Sequence, residues 1–252
     1  MTSRWQHMRA TLGHLRRGLL DLTLPAVCLL CDEPLDEDQR DFCASCRAEL
    51  FPDPGPTCPK CASTVGLYSD ISAGCPRCRS QAWAFAGVIR LGRHEGKLRD
   101  AVLRIKTHPD PTLAAVLGRA WFAARREEFA RCPAAAVVSL PLHWLRHWQR
   151  GCNQAALLAV ALAQAWGKPL VRGVLWRRRW TAPQTSQSAT QRRDAMKDAF
   201  AARLPPVWRG QTLLLVDDVL TTGATAHAAA LALKKAGAKE VWVAVLSRGE
   251  GH

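Results

Sequence analysis

Apolar positions change period along this chain. From about Trp83 onward, short apolar runs alternate with stretches whose apolar residues recur every three or four positions. Phe85 to Leu91 predicts a strand. Glu95 to Lys106 predicts a helix with Leu98, Val102 and Ile105 on one face. His108-Pro109-Asp110-Pro111 breaks that pattern, and Thr112 to Ala130 predicts a second helix with Thr112 as its N-cap. Val137 to Leu142 reads as a buried strand. Asn153 to Trp166 reads as an apolar helix closed by Gly167. Leu213 to Val216 is a strand, Gly223 to Ala236 a helix stopped by Gly237, and Val241 to Leu246 a final strand. Strands that alternate with helices predict an α/β fold, a mainly parallel sheet flanked by helices. Upstream, Leu12, Leu15, Leu19 and Leu22 recur at helical spacing, and an amphipathic N-terminal helix is expected within residues 1–27. Residues 28–80 follow neither period and are dense in Pro and Gly. They are expected to form a separate small module, with the α/β domain occupying 81–252.

The cysteines explain how the aperiodic segment folds. Eight of the ten fall in four Cys-x-x-Cys pairs: Cys28/Cys31, Cys43/Cys46, Cys58/Cys61 and Cys75/Cys78. Each pair forms a knuckle that presents two thiolates to one metal, and two knuckles complete a tetrahedral S4 site. The module buries too little apolar surface to fold unaided, so metal binding would supply the missing free energy. Repeated paired knuckles favour zinc over an iron–sulfur cluster, and disulfides would need an oxidising compartment. One or two structural Zn2+ ions are expected. Sequential pairing of the knuckles is the simplest arrangement, with a crossed one also compatible with the spacing. Cys132 and Cys152 lie outside the pattern, and Cys132 reads as a plain buried or loop cysteine.

Charge adds a class of partner. Lys and Arg total 35 against 21 acidic residues, a formal net charge of +14. Such an excess attracts polyanions: nucleic acid, an anionic substrate or an anionic membrane surface. No apolar run approaches the ~20 residues needed to span a bilayer. Arg16, Arg17 and Asp21 interrupt the stretch where a signal peptide needs an unbroken apolar core. A cytoplasmic protein without a transmembrane segment is expected. Its N-terminal helix reads first as a core or domain-docking helix, with a basic membrane-surface helix, peripheral at the inner face of the membrane, as the alternative.

The chemistry concentrates in Leu213-Leu214-Leu215-Val216-Asp217-Asp218-Val219-Leu220-Thr221-Thr222-Gly223-Ala224-Thr225. A buried strand runs into two adjacent carboxylates and then a polar turn that opens a helix. Ligands of open α/β sheets bind outside the carboxyl ends of strands. The helix N-terminus suits a phosphate, while the carboxylates suit hydroxyls or a Mg2+ ion bridging to the ligand. A second basic constellation follows the strand at 137–142: Pro141-Leu142-His143-Trp144-Leu145-Arg146-His147-Trp148-Gln149-Arg150-Gly151-Cys152-Asn153-Gln154. A third, Arg177-Arg178-Arg179-Trp180-Thr181-Ala182-Pro183-Gln184-Thr185 through Arg192-Arg193, reads as a mobile basic loop near an anionic ligand.

The thirteen-residue stretch resembles the phosphoribosyl pyrophosphate (PRPP) motif of type I phosphoribosyltransferases. That resemblance implies ribose hydroxyls held by Asp217 and Asp218. It implies a 5-phosphate cradled by Thr221, Thr222, Gly223, Ala224 and Thr225. The whole order resembles the ComF/GntX family of competence-associated, phosphoribosyltransferase-like proteins: four knuckles, then Pro-Leu-His-x-x-Arg-x-x-x-Arg-Gly-x-Asn-Gln, Arg-x-Trp-Thr-x-Pro-Gln and the terminal motif. Arg150, Gly151, Asn153 and Gln154 match one family segment, and Thr181 and Gln184 another. Lys106 sits where the family usually carries a lysine after an apolar helix. Two positions depart from the pattern. Cys152 replaces an aromatic, and Asp194-Ala195-Met196 stands where an asparagine is usual.

The resemblance implies a PRPP-binding protein involved in DNA uptake and natural transformation, handling incoming single-stranded DNA. Its knuckles would dock DNA-uptake machinery proteins. Trp144 and Trp148 among Arg146 and Arg150, and Trp176 and Trp180 around Arg177–Arg179, would suit single-strand binding, which joins cationic grooves to stacking platforms. Two alternatives stand beside this reading. One is a genuine transferase that moves the phosphoribosyl group from PRPP to a nucleobase or other nitrogen acceptor. Arg150 and Lys106, with Mg2+, would then stabilise the leaving pyrophosphate. The other is a PRPP-sensing scaffold without catalysis.

Overall fold

The computed structural model describes residues 26–52, 55–107, 110–142, 152–178 and 198–249. The expected N-terminal helix, the segment from His143 to Gly151 with Arg150, and the segment 179–197 with Thr181 and Gln184 lie outside the described residues. The chain forms two compact units, Met1–Glu49 and Leu50–His252.

In the first unit the chain makes a knuckle at Cys28–Glu33. The Cys28 N–H donates to the Glu33 carbonyl at 2.8 Å, and the Asp32 N–H to the Cys28 carbonyl at 3.0 Å. Helix α1 (Ala44–Leu50) begins directly after Cys43. The second unit opens with the same device thirty residues later. The Cys58 N–H donates to the Ser63 carbonyl at 2.9 Å and the Ala62 N–H to the Cys58 carbonyl at 2.8 Å. Asp32 and Ala62 both adopt left-handed backbone, φ 59° and 53°. The tight knuckle turn demands this conformation even though neither is glycine. A short helix, α2 (Pro76–Arg79), follows Cys75.

The sheet that follows is fully parallel. Strands β1 (Val88–Arg93), β2 (Ala136–Ser139), β5 (Thr212–Leu220) and β6 (Glu240–Arg248) lie in the order β1-β6-β5-β2. On one face, Leu213, Leu215, Val241, Val243 and Val245 join the core formed with α7 (Ala224–Lys235) through Ala226, Ala229, Ala230 and Leu233. The alternate residues Leu214, Val216, Ala244 and Leu246 are also buried and turn to the opposite face. Helices α3 (Gly96–Thr107), α4 (Pro111–Ala124) and α6 (Gln154–Trp166) follow the strands as the crossovers of a parallel sheet. The near-continuous burial of β5 and β6 is the mark of a sheet covered on both sides. Helices α4 and α6 touch at Gly118, where a Cβ would lie 2.4 Å from the Ala161 Cβ.

Several expected boundaries move, each for a physical reason. The second helix ends at Ala124, and α5 (Arg126–Arg131) restarts after it. Between them Arg125 is buried and donates to the carbonyls of Arg90 and Pro52. Its N-cap is Asp110 rather than Thr112, because the Asp110 carboxylate accepts the Leu113 N–H at 2.8 Å ahead of Pro111. The β1 strand begins at Val88 and runs to Arg93, about three residues later than its alternation suggested. A second, antiparallel sheet of β3 (Leu175–Arg177) and β4 (Phe200–Ala202) was not expected.

Candidate functional site

The Asp217-Asp218 pair does not follow its strand but lies within it. β5 continues to Leu220 because β6 keeps pairing with it, through Asp217↔Val245, Val219↔Ser247 and Leu220↔Arg248. On the other side β2 ends at Ser139↔Val216. The two carboxylates therefore emerge where one edge of the strand has opened. Asp218 pairs with Lys106 of α3, Nζ to Oδ2 at 3.3 Å. The Asp218 N–H donates to Asp217 Oδ1 at 2.9 Å. Burial, reinforced by the Asp218 carboxylate, pushes Asp217 up to about 8.

Past Leu220 the chain turns through Thr221 and Thr222 into Gly223, at φ 84°, the N-cap of α7. Only glycine takes this left-handed backbone without strain. Ala224 and Thr225 form the first turn of the helix, and the Ala224 N–H lies 3.4 Å from the Thr222 hydroxyl. The five residues expected to cradle a phosphate thus form one turn at a helix N-terminus, next to the two carboxylates.

Three neighbours come from parts of the chain that do not mark themselves in sequence. His94 follows β1, and its Nδ1 meets the Ser247 hydroxyl at 2.8 Å. Burial, with Lys106 and Arg99 alongside, holds His94 below the usual histidine range. Arg248 ends β6, buried at 1% exposure. All three stand at the carboxyl ends of strands. That rule would have reached His94 had β1 been placed to end at Arg93, and Ser247 and Arg248 had the last strand been carried past Leu246.

The cysteines form two tetrads, and the knuckles pair sequentially. Cys28, Cys31, Cys43 and Cys46 are one set, and Cys58, Cys61, Cys75 and Cys78 the other, each with sulfurs within 4.8 Å of one another. A tetrahedral ion with Zn–S bonds near 2.3 Å needs sulfurs about 3.8 Å apart. The Cys31–Cys43, Cys61–Cys75 and Cys58–Cys78 separations are 3.7, 3.6 and 3.9 Å. None of the ten cysteines is in a disulfide. Cys132 is buried, and burial pushes its thiol up to about 11, as for a plain core residue.

Two outcomes follow from this geometry. Metal analysis of the purified chain should find two zinc ions per molecule, falling to one on Cys61→Ser. For Asp217, a folded-state value raised above the ordinary carboxylate range means the fold favours the protonated form. The stability this gives is present in acid and lost as pH rises toward 8. Asp217→Asn removes that loss. Its melting temperature should therefore exceed the wild type's by a gap that widens from about pH 5 to about pH 8, read by scanning calorimetry.

Residues 153–251 match the phosphoribosyl transferase domain family, and residues 19–79 match the double zinc ribbon domain family. The chain is similar to the DNA utilization protein YhgH of Salmonella typhi, 33% identical over 231 residues that cover 90% of this chain and 99% of that protein. Competence protein F of Haemophilus influenzae is 29% identical over 226 residues, covering 88% and 96%. Competence protein ComFC of Bacillus subtilis is 26% identical over 230 residues, covering 84% and 90%. Among the described residues no helix is long and apolar enough to cross a membrane. With two cysteine tetrads followed along the chain by a parallel sheet, and with this identity sustained over nearly the whole length of its relatives, the chain belongs to the ComF family of competence and DNA utilization proteins.

Proposed function

We propose that this protein binds PRPP at the carboxyl edge of β5 and acts in DNA uptake by handling incoming single-stranded DNA. The observation that carries the reading is the juxtaposition of two carboxylates, a lysine and a glycine turn at a helix N-terminus on one open sheet edge. Asp217 and Asp218 accept hydrogen bonds from the ribose hydroxyls. Residues Thr221 to Thr225 receive the 5-phosphate through backbone N–H groups and threonine hydroxyls. Two adjacent carboxylates with hard oxygen donors also suit Mg2+, which is held through one or two carboxylates plus substrate phosphates. When bound, that ion supplies charge neutralisation at the pyrophosphate. Lys106, released from Asp218 by the incoming ligand, turns its ammonium to the same charge, and Arg150, outside the described residues, is proposed for the same task.

The ion pair of Lys106 with Asp218 favours a second reading, turnover. A cation stored at the ribose site is placed to stabilise a departing pyrophosphate while a nitrogen acceptor takes carbon 1. The DNA role draws support from the second sheet. Trp176 of β3 is 43% exposed, and Arg178 and Arg203 are exposed beside it at the ends of β3 and β4. An exposed indole among guanidinium groups suits base stacking along a cationic track. The relatives' names, competence and DNA utilization, support the same process. DNA-uptake machinery proteins are the proposed partners of the zinc module.

Titration of PRPP with Mg2+ into the wild type should show saturable binding, weakened at least about tenfold by Asp218→Asn, a loss near 1.4 kcal/mol. Pyrophosphate appearing only with an added acceptor would establish turnover, and none with any nucleobase would leave a binder. Oligo-dT affinity should fall steeply as salt rises, and Trp176→Ala should weaken it by about 1–3 kcal/mol. A folded, zinc-loaded wild type that binds no PRPP would refute the site.

A further inference from the structure

The second tetrad and the glycine turn belong to the same compact unit, and one side chain stands between them. Trp83 donates its indole N–H to Cys78 Sγ at 3.3 Å. The opposite end of the same ring backs the turn. A Cβ placed on Gly223 would lie 2.9 Å from the Trp83 Cη2 and 3.0 Å from its Cζ3. The ring stacks on Phe85 at 5.1 Å and meets His227 edge-on at 6.0 Å. His227 lies in the first turns of α7 and accepts the Ala84 N–H at Nδ1, 3.1 Å away. The indole is thus held at one end by the Cys78 sulfur and at the other by Gly223 in the middle of the turn and His227 just beyond it.

A second, independent bridge runs through Arg248. Its guanidinium donates to the Cys61 carbonyl at 3.1 Å and to the Ser63 hydroxyl at 3.3 Å, both in the knuckle. The same group donates to the Leu220 carbonyl at 2.9 Å and to the carbonyls of Thr221 and Gly249. A buried guanidinium is stable only where its donors are met and its charge is balanced. A divalent ion held by four thiolates fixes the knuckle whose Cys61 carbonyl and Ser63 hydroxyl the guanidinium meets. Without the ion, the knuckle that holds two of these five acceptors loses its shape.

We infer that the second tetrad, once it holds its metal ion, sets the shape of the Thr221–Thr225 turn through Trp83 and Arg248, so that metal loading there is a condition for phosphate binding. Trp83 and Arg248 are positioning residues. Neither touches the ligand, but both fix the backbone that does. The inference about affinity rests on the PRPP reading above. The inference about the turn does not, because its shape is measurable without ligand.

The test uses the full chain, zinc-loaded, as wild type, Cys75→Ser, Trp83→Phe and Arg248→Lys. Hydrogen exchange is followed on the peptides covering 219–227 and 212–216, with zinc content and PRPP affinity measured in parallel. Trp83→Phe keeps an aromatic ring but loses the N–H that meets Cys78, and Arg248→Lys keeps the charge but cannot reach both sets of acceptors. Both should retain two zinc ions and leave residues 212–216 protected. Both should speed exchange across 219–227 and weaken PRPP about tenfold. Cys75→Ser should lose one zinc and show the larger change at the same peptide. Unchanged exchange at 219–227 in Trp83→Phe and Arg248→Lys overturns the inference, whether or not Cys75→Ser folds. Faster exchange at 219–227 in a protein whose wild type ignores PRPP would keep the coupling and discard the ligand.

Discussion

Two carboxylates side by side at the end of a buried strand repel each other and resist desolvation, and the site is organised around how that cost is met. β5 leaves the cover of β2 just before Asp217. Lys106 reaches Asp218 from the last turn of α3. Burial and the neighbouring Asp218 charge push Asp217 up to about 8. The arrangement is poor for stability and good for a ligand that brings hydroxyl donors or a divalent cation. The covered sheet bears the strain, since β5 is buried from Thr212 to Val216 and β6 from Val243 to Arg248. A rigid scaffold that holds two carboxyl groups together at a cost is what a preorganised binding site requires.

The cysteine tetrads answer a different constraint. The first knuckle of each tetrad is a short turn with left-handed backbone at a non-glycine residue, Asp32 or Ala62. Little apolar surface stabilises such turns, so the metal must. In the second unit the knuckle does more than close on itself. Trp83 and Arg248 tie it to the carboxyl end of the sheet, where strand ends, helix N-terminus and sulfur ligands meet. A four-thiolate site leaves no open position for chemistry, yet here it adjoins the residues that would hold a phosphate.

How much of this was legible in the sequence depends on whether the parts lie close along the chain. The strand, the two carboxylates, the glycine turn and α7 are contiguous from Leu213 onward, and period and residue type sufficed to read them. The knuckles were legible because ligand spacing within each is local, whereas their pairing into tetrads came from the structure. His94, Trp83 and Arg248 were not, because their roles come from residues far along the chain. Arg248 meets Cys61 across 187 positions and Ala84 meets His227 across 143. β3 and β4 escaped because three-residue strands are too short for alternation to register. Thr112 was read as a cap because Asp110 sits between two prolines and looked like part of a break. Arg125 split a helix that periodicity alone would continue.

The central claim is that the turn at Thr221–Thr225 and the carboxylates of Asp217 and Asp218 hold one ligand between them. The most direct measurement is a crystal structure of the zinc-loaded chain with PRPP and Mg2+. The account predicts the 5-phosphate within hydrogen-bond distance of the backbone N–H groups at 222–225, with the ribose hydroxyls on Asp217 and Asp218 and the Lys106–Asp218 pair separated. Density for PRPP on the basic second sheet, with the turn empty and Lys106 still paired to Asp218, would contradict it.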